Sequence, residues 1–393
     1  MKDKYLVLIL LVIGSFFLIF HKTEKIVKKE DKVISSEQRG IFVSYIELSK
    51  YLKGKGVEEG KQEINKMLTN IQKLGFNMVL LQVRSFSDAI YPSKIYPWSA
   101  TVSSSEGVSP GYDVLEEFIT LGHKKKMEVH AWINPYRIRG DEDSSDISEI
   151  NPAYSYLNTD TVYVGGGIYY NPAKEEVRKL IVDGVLELVK NYKVDGVLFD
   201  DYFYPNKQID LANYEEYSKE NPTVSIDEFR FLQVNLLIQE VYQVCHKQGV
   251  SFGISPDGNI ENNYQKNYAD VKTWGSEKGY IDYLMPQIYY GFYNETKAFH
   301  DVIHEWNDLI TNTSVELLPV LAFYKVGTSD TYAKSGKNEW IENDDIIMRE
   351  ILLTRNLNRY EGFSLFRYDY LFDDSLHTET TMLELNNMKK VLK

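Results

Sequence analysis

Cysteine is almost missing from this chain. Cys245 is the single one among 393 residues, so neither a disulfide framework nor a cysteine-based zinc site can form within one chain. It falls in the helical pattern FLQVNLLIQEVYQVCHKQGV, where a buried, inert thiol is the plain reading. Histidine is scarce too, and the seven present form no H-x-x-H or H-E-x-x-H pattern; D-x-D-x-D is also absent, so no spacing for a metal site is found. Basic charge is in deficit: 44 Lys and Arg stand against 57 Asp and Glu, a net charge of -13. The only Lys-rich stretch is short and N-terminal, which excludes a phosphate-neutralising surface and with it a nucleic-acid partner. No G-x-S-x-G elbow or Ser-His-Asp spacing supports acyl transfer. No glycine-rich phosphate turn follows the first strand candidate, so no nucleotide cofactor is expected.

Aromatic residues, by contrast, are abundant. They make up 13% of the chain, with 30 Tyr, more than packing requires, so part of them is expected on a surface that stacks on flat ligand faces. The N-terminus places Lys2 and Lys4 before an uncharged apolar run from Tyr5 to Phe20. That reads as a secretory signal or short signal anchor over residues 1–20, retained as an anchor because no small-x-small cleavage site follows. The run is shorter than the ~20 residues of a comfortable span. Either way the remainder is expected outside the cytoplasm, secreted if the signal is cleaved. Residues 21–38 are polar, charged and aperiodic, as a tether would be.

From Arg39 onward strand-like runs alternate with helical ones. Strands are expected at 40–46, 77–83, 127–133, 194–199, 250–255, 280–286, 315–322 and 362–368. Between them lie helix patterns; in the best of these Pro172 suits a first turn, and Val177, Leu180, Ile181, Val185, Leu188 and Val189 repeat near a 3.6 period. Eight strand-helix units predict an α/β fold, a (β/α)8 TIM barrel over residues 39–393.

Barrel chemistry sits at the C-terminal ends of strands. Those ends carry Gln82 and Arg84, Asn134, Asp200 and Asp201, Asp257, Gln287 and Tyr289, and Arg367 and Tyr368. In VDGVLFDDYFYP, strand alternation turns Leu198 and Asp200 the same way, while Asp201 opens the loop. Two close carboxylates in a partly dry cleft drive their proton affinities apart, leaving an acid and a base side by side. The plainer use of Asp201 is to cap the next turn. His130 shares a face with Trp132 and Asn134, as a core histidine or a substrate contact. Asp257 lies in P-D-G, equally a turn and a catalytic position. Tyr91, Tyr96 and Trp98 follow the second strand as sugar-stacking faces or as satellite core.

Several stretches in order, RGIFVSY, LGFNMVLLQVRSFSDAIYPSKIYPWS, MEVHAWINPYR, VDGVLFDDYFYP, GISPDGN and DYLMPQIYYGF, resemble the glycosyl hydrolase-like 10 family of YngK-type bacterial envelope glycosidases. The resemblance covers most of residues 39–295 and implies a barrel enzyme, some of whose relatives act on peptidoglycan strands stripped of stem peptides. VLFDDY is also similar to the fourth-strand end of O-GlcNAcase-type hexosaminidases, in which the substrate's 2-acetamido group is the nucleophile. By that resemblance Asp200 orients the group and Asp201 is the general acid. DGVLFDDY resembles a chitinase-type pattern too, but Tyr202 stands where that pattern closes with Glu.

The expectation is thus an exported, metal-free glycoside hydrolase whose partner is a polysaccharide. Its catalytic residues would be Asp200, Asp201 and Asp257, and its substrate contacts Gln82, Arg84, Trp98, His130, Trp132, Asn134, Tyr202, Gln287, Tyr289 and Arg367. Two alternatives stand: a two-carboxylate glycosidase using Asp200 and Asp257, and a barrel that binds wall glycan without cutting it. Arg84 and Arg137 would make the cleft locally basic within an acidic protein.

Overall fold

The structure, a computed structural model, describes residues 37–200 and 202–392. The expected signal segment, all but the last two residues of the tether, and Asp201 lie outside the described residues. Among those described, no helix is long and apolar enough to cross a membrane.

The architecture is α/β, built on a curled, all-parallel main sheet. Its strands are β1 (Gln38–Val43), β2 (Met78–Arg84), β3 (Glu128–Ile133), β4 (Gly196–Asp200) and β5 (Ser251–Ser255). Then come β6 (Tyr283–Leu284 and Gln287–Ile288), β7 (Glu316–Leu317 and Val320–Leu321) and β8 (Gly362–Leu365). β6 and β7 are each interrupted at a proline, Pro286 and Pro319, which has no N–H to give the ladder. With each interrupted pair counted as one strand, hydrogen-bonded neighbours run from β1 to β8 in order, and Gly362 of β8 then pairs with Gln38 of β1. The ladder returns to the strand it began on.

Strand alternation sorts the side chains. Phe42, Met78, Leu80, Trp132, Leu198, Tyr283, Met285, Leu318 and Val320 form one buried cluster inside the curl. Outward residues such as Phe199 and Phe252 pack against the surrounding helices and each other, with ring centroids 5.2 Å apart. Gly196 and Gly253 make room at the N-terminal end of the interior, where a Cβ at Gly253 would stand 2.1 Å from the Tyr283 ring.

The strand forecasts land on the observed elements with shifted ends. β1 stops at Val43 instead of running to residue 46 because Ser44 and Glu47 form a reciprocal capping box that starts the helix Tyr45–Leu52. That helix and Leu211–Glu220 were not expected. Neither was a small antiparallel sheet of Arg137–Arg139, Val162–Val164 and Ile168–Tyr170, in the segment after β3.

Candidate active site

Continuing the inward parity past the buried cluster brings the next residue of every strand but β7 to the C-terminal opening: Ser44, Gln82, Asn134, Asp200, Ser255, Gln287 and Phe366. All but Asn134 line one cavity of ≈ 180 Å3, together with Phe42, Tyr45, Ile46, Trp132, Arg137, Tyr202 and Tyr289. Its volume is below the ~300–1,000 Å3 of drug-sized sites, room for about one ring-sized group.

Asp200 is buried at the floor. Its Oδ2 accepts from Trp132 Nε1 at 3.1 Å and from Asn134 Nδ2. Asn134 Oδ1 in turn accepts from Gln82 Nε2 and from Arg137 Nη2, the latter at 3.2 Å. Gln82 Oε1 accepts the Tyr45 N–H at 2.9 Å, tying the network to the first turn of the helix after β1. One carboxylate is therefore held by an amide and an indole that are themselves fixed, the kind of rigid support a reacting group needs. The Arg137 guanidinium lies 5.3 Å from the Tyr202 ring centroid and 5.0 Å from that of Phe86, and its Nε donates to Ser85 O at 3.0 Å. It places positive charge in the cavity wall. Tyr202 is half exposed beside it.

On the opposite side Gln287 Nε2 donates to Ser255 O at 3.0 Å. Tyr289 sets its ring 5.9 Å from Phe366 and 5.5 Å from Tyr324, while Lys325 Nζ grips its carbonyl oxygen at 2.7 Å. Phe42, Trp132 and Phe366 pack edge-on or tilted as an aromatic wall.

The structure thus brings Asp200, Gln82, Trp132, Asn134, Tyr202, Gln287 and Tyr289 together. It does not bring the others. Arg84 should share the parity of Gln82, but the β2–β3 register slips between them: Gln82 pairs with Trp132, and Arg84 with the outward-facing Ile133. Its guanidinium is buried behind the barrel wall, 3.7 Å from the Tyr96 ring centroid. Tyr91 and Tyr96 are buried there as satellite core, and Trp98 forms a backbone bridge with Ala89 away from the cavity.

His130 points inward at the wrong end. It is buried, with Nδ1 2.8 Å from Tyr283 Oη and Nε2 3.1 Å from Glu128, and works as a core histidine. Asp257 is consumed by its turn: Oδ1 accepts from Asn259 N at 2.8 Å and Oδ2 from Asn262 Nδ2 at 3.0 Å. Arg367 pairs with the fully buried Glu47 and locks the end of β8 to the helix after β1; its neighbour Phe366 takes the cavity position. Phe42, Ser44, Tyr45, Ile46, Ser255 and Phe366 were missed. Parity alone, followed one step beyond each apolar run, would have found Ser255 and Phe366.

The C-terminal end of the strands, where Asp200 stands under an aromatic-walled cavity, is where a parallel barrel carries its chemistry, and known proteins assign the chain to a family. Residues 37–340 match the family Glycosyl hydrolase-like 10, and the chain belongs to it. It is 37% identical over 333 residues to Glycosyl hydrolase YngK of Bacillus subtilis (strain 168), a match covering 79% of this chain and 63% of that protein, so the chain spans less than two thirds of YngK. It is 34% identical over 335 residues to Glycosyl hydrolase DigH of Escherichia coli (strain K12), covering 77% of this chain and 74% of that one. Among solved structures, the PgaB (BpsB) glycoside hydrolase domain from Bordetella bronchiseptica aligns over 90% of this chain and 99% of its own, with TM-score 0.52 at 12% identity. The catalytic domain of the beta-amylase from Paenibacillus polymyxa aligns over 91% and 99%, with TM-score 0.56 at 10% identity. At such identities these two show the fold alone.

Proposed function

We propose that the protein is an exported (β/α)8 glycoside hydrolase that cleaves N-acetylated glycan, peptidoglycan strands lacking stem peptides, by a retaining, substrate-assisted route. One observation carries the reading: Asp200 stands at the cavity floor with its carboxylate fixed by Trp132 and Asn134. A sugar ring entering the cavity meets the aromatic wall with its apolar face. Asp200 then accepts from the N–H of the 2-acetamido group and turns its carbonyl oxygen toward the anomeric carbon. That oxygen forms the new bond to carbon as the glycosidic C–O bond breaks. Asp201, adjacent in sequence, gives its proton to the departing oxygen, then takes one from the water that opens the cyclic intermediate. This scheme is an exception to the usual pair of carboxylates across the sugar, and it suits a site where Asp257 is committed to a turn.

Two further features favour the substrate. Arg137 supplies a cation in the cavity wall of a protein whose net charge of -13 would repel an anionic wall polymer. The uncharged run from Tyr5 to Phe20 after Lys2 and Lys4 suits delivery to the envelope with membrane attachment through that segment.

The test is incubation with stem-free glycan strands and detection of new reducing ends by mass spectrometry. Wild type should cut them, Asp200→Asn should lose most of the rate, and Asp201→Asn should lose about 10²–10⁴-fold, the scale of a positioned acid-base group. Binding without cleavage across several N-acetylated glycans would make the protein a wall-glycan-binding barrel instead.

A further inference from the structure

Ser255 ends β5 directly beside Asp200, its register partner on β4. In-register neighbours on parallel strands present their side chains to the same face, so both point into the opening. The residue is held in place: its carbonyl accepts from Gln287 Nε2 at 3.0 Å. Yet its hydroxyl, in a side chain only 1% exposed, has no hydrogen-bond partner among the described residues. Nearly every buried polar group in a folded protein is paired, and a protein hydroxyl left unpaired is a standing cost. Ser364 offers a contrast. Its Oγ is also buried and unpartnered, but it lies against Gly40 inside the barrel and does not line the cavity.

We propose that Ser255 is a substrate-contact residue whose hydroxyl donates a hydrogen bond to a hydroxyl or carbonyl oxygen of the sugar seated against Asp200. This rests on the glycosidase reading above. The hydroxyl fixes the azimuth of the ring against the aromatic wall of Phe42, Trp132 and Phe366, and stability is given up at this position for ligand orientation.

The experiment compares wild type, Ser255→Ala and Ser364→Ala in the full chain, measuring kcat, KM and Tm on stem-free glycan strands, and the Tm shift produced by N-acetylglucosamine oligomers. For Ser255→Ala, kcat/KM should fall about three- to tenfold, the worth of one neutral hydrogen bond, while Tm stays level or rises because an unpaired buried group has gone. Ser364→Ala should keep wild-type kinetics. A lowered Tm with unchanged kinetics in Ser255→Ala assigns the hydroxyl a structural role and overturns the proposal. Should wild type cut no glycan, the glycosidase reading fails, and Ser255 is then judged on binding alone. A smaller oligomer-induced Tm shift in Ser255→Ala than in the other two proteins supports the contact; equal shifts, zero included, overturn it.

Discussion

Replacing Asn134 tests the network under Asp200 most sharply, because its amide both gives to the carboxylate and receives from Gln82 and Arg137. Asn134→Leu keeps the volume and deletes all three bonds. A hydrogen bond to a charged group is worth about 1.5–3 kcal/mol, so activity should fall roughly 10- to 100-fold at every pH. The buried Gln82 donor is stranded as well, which should cost another ~1–3 kcal/mol of stability. Asn134→Asp keeps the acceptor and puts a second carboxyl where the donor was. With one proton between them, the new acid donates to Asp200 much as the amide does, and activity should survive near pH 5–6, about one to two units above the ordinary Asp value. Two bare carboxylates this close repel, so the pair holds that proton above the ordinary carboxylate range, against the pull of the Arg137 guanidinium. Once it leaves at higher pH, the variant should lose activity that wild type keeps. The assay is the pH profile of glycan cleavage for both variants, with Tm recorded alongside. Near-wild-type rates in Asn134→Leu, or a profile for Asn134→Asp superimposable on wild type, would show that the network does not hold Asp200 for catalysis.

Two other predictions concern stability. Glu384 and Glu350 are buried between the helix Ile346–Thr354 and the terminal helix Glu379–Val391. Burial pushes the Glu384 carboxyl up to about 7, against the N–H bonds of Met348, Ile347 and Ile346 that favour its charge; burial and Glu384 both push Glu350 up. The folded state holds a proton that the unfolded chain releases, so this stability is complete below about pH 4 and is lost as pH rises toward 7. Glu384→Gln should therefore match wild type at acid pH and be up to ~3 kcal/mol more stable at pH 8, read from urea midpoints; no difference at pH 8 would contradict it. Gly253→Ala should lose about 1–3 kcal/mol, because its Cβ meets a Tyr283 ring fixed by hydrogen bonds to His130 and to Val197 O. A Tm within a degree of wild type would show that the barrel floor yields.

The succession of strands and helices, and Asp200 at the end of a strand, were legible in the chain, because alternation and 3.6-residue periodicity are local and survive without knowledge of neighbours. It also carried signals that went unread, such as the Ser44 to Glu47 capping box and the inward parity of Ser255 and Phe366. Which polar residues at strand ends share a cavity depends on how the strands pair and stagger. Arg84 was turned outward by a one-residue slip between β2 and β3, a pairing property no single strand contains. His130 has the right parity, but depth in the barrel depends on how strands stagger, and it sits with Tyr283 at the far end. Asp257 and Arg367 found local partners in Asn259, Asn262 and Glu47, and neither lines the cavity. The chemistry-bearing residue types were legible in the chain; their convergence is long-range, set by strand register and by the loops that close over it.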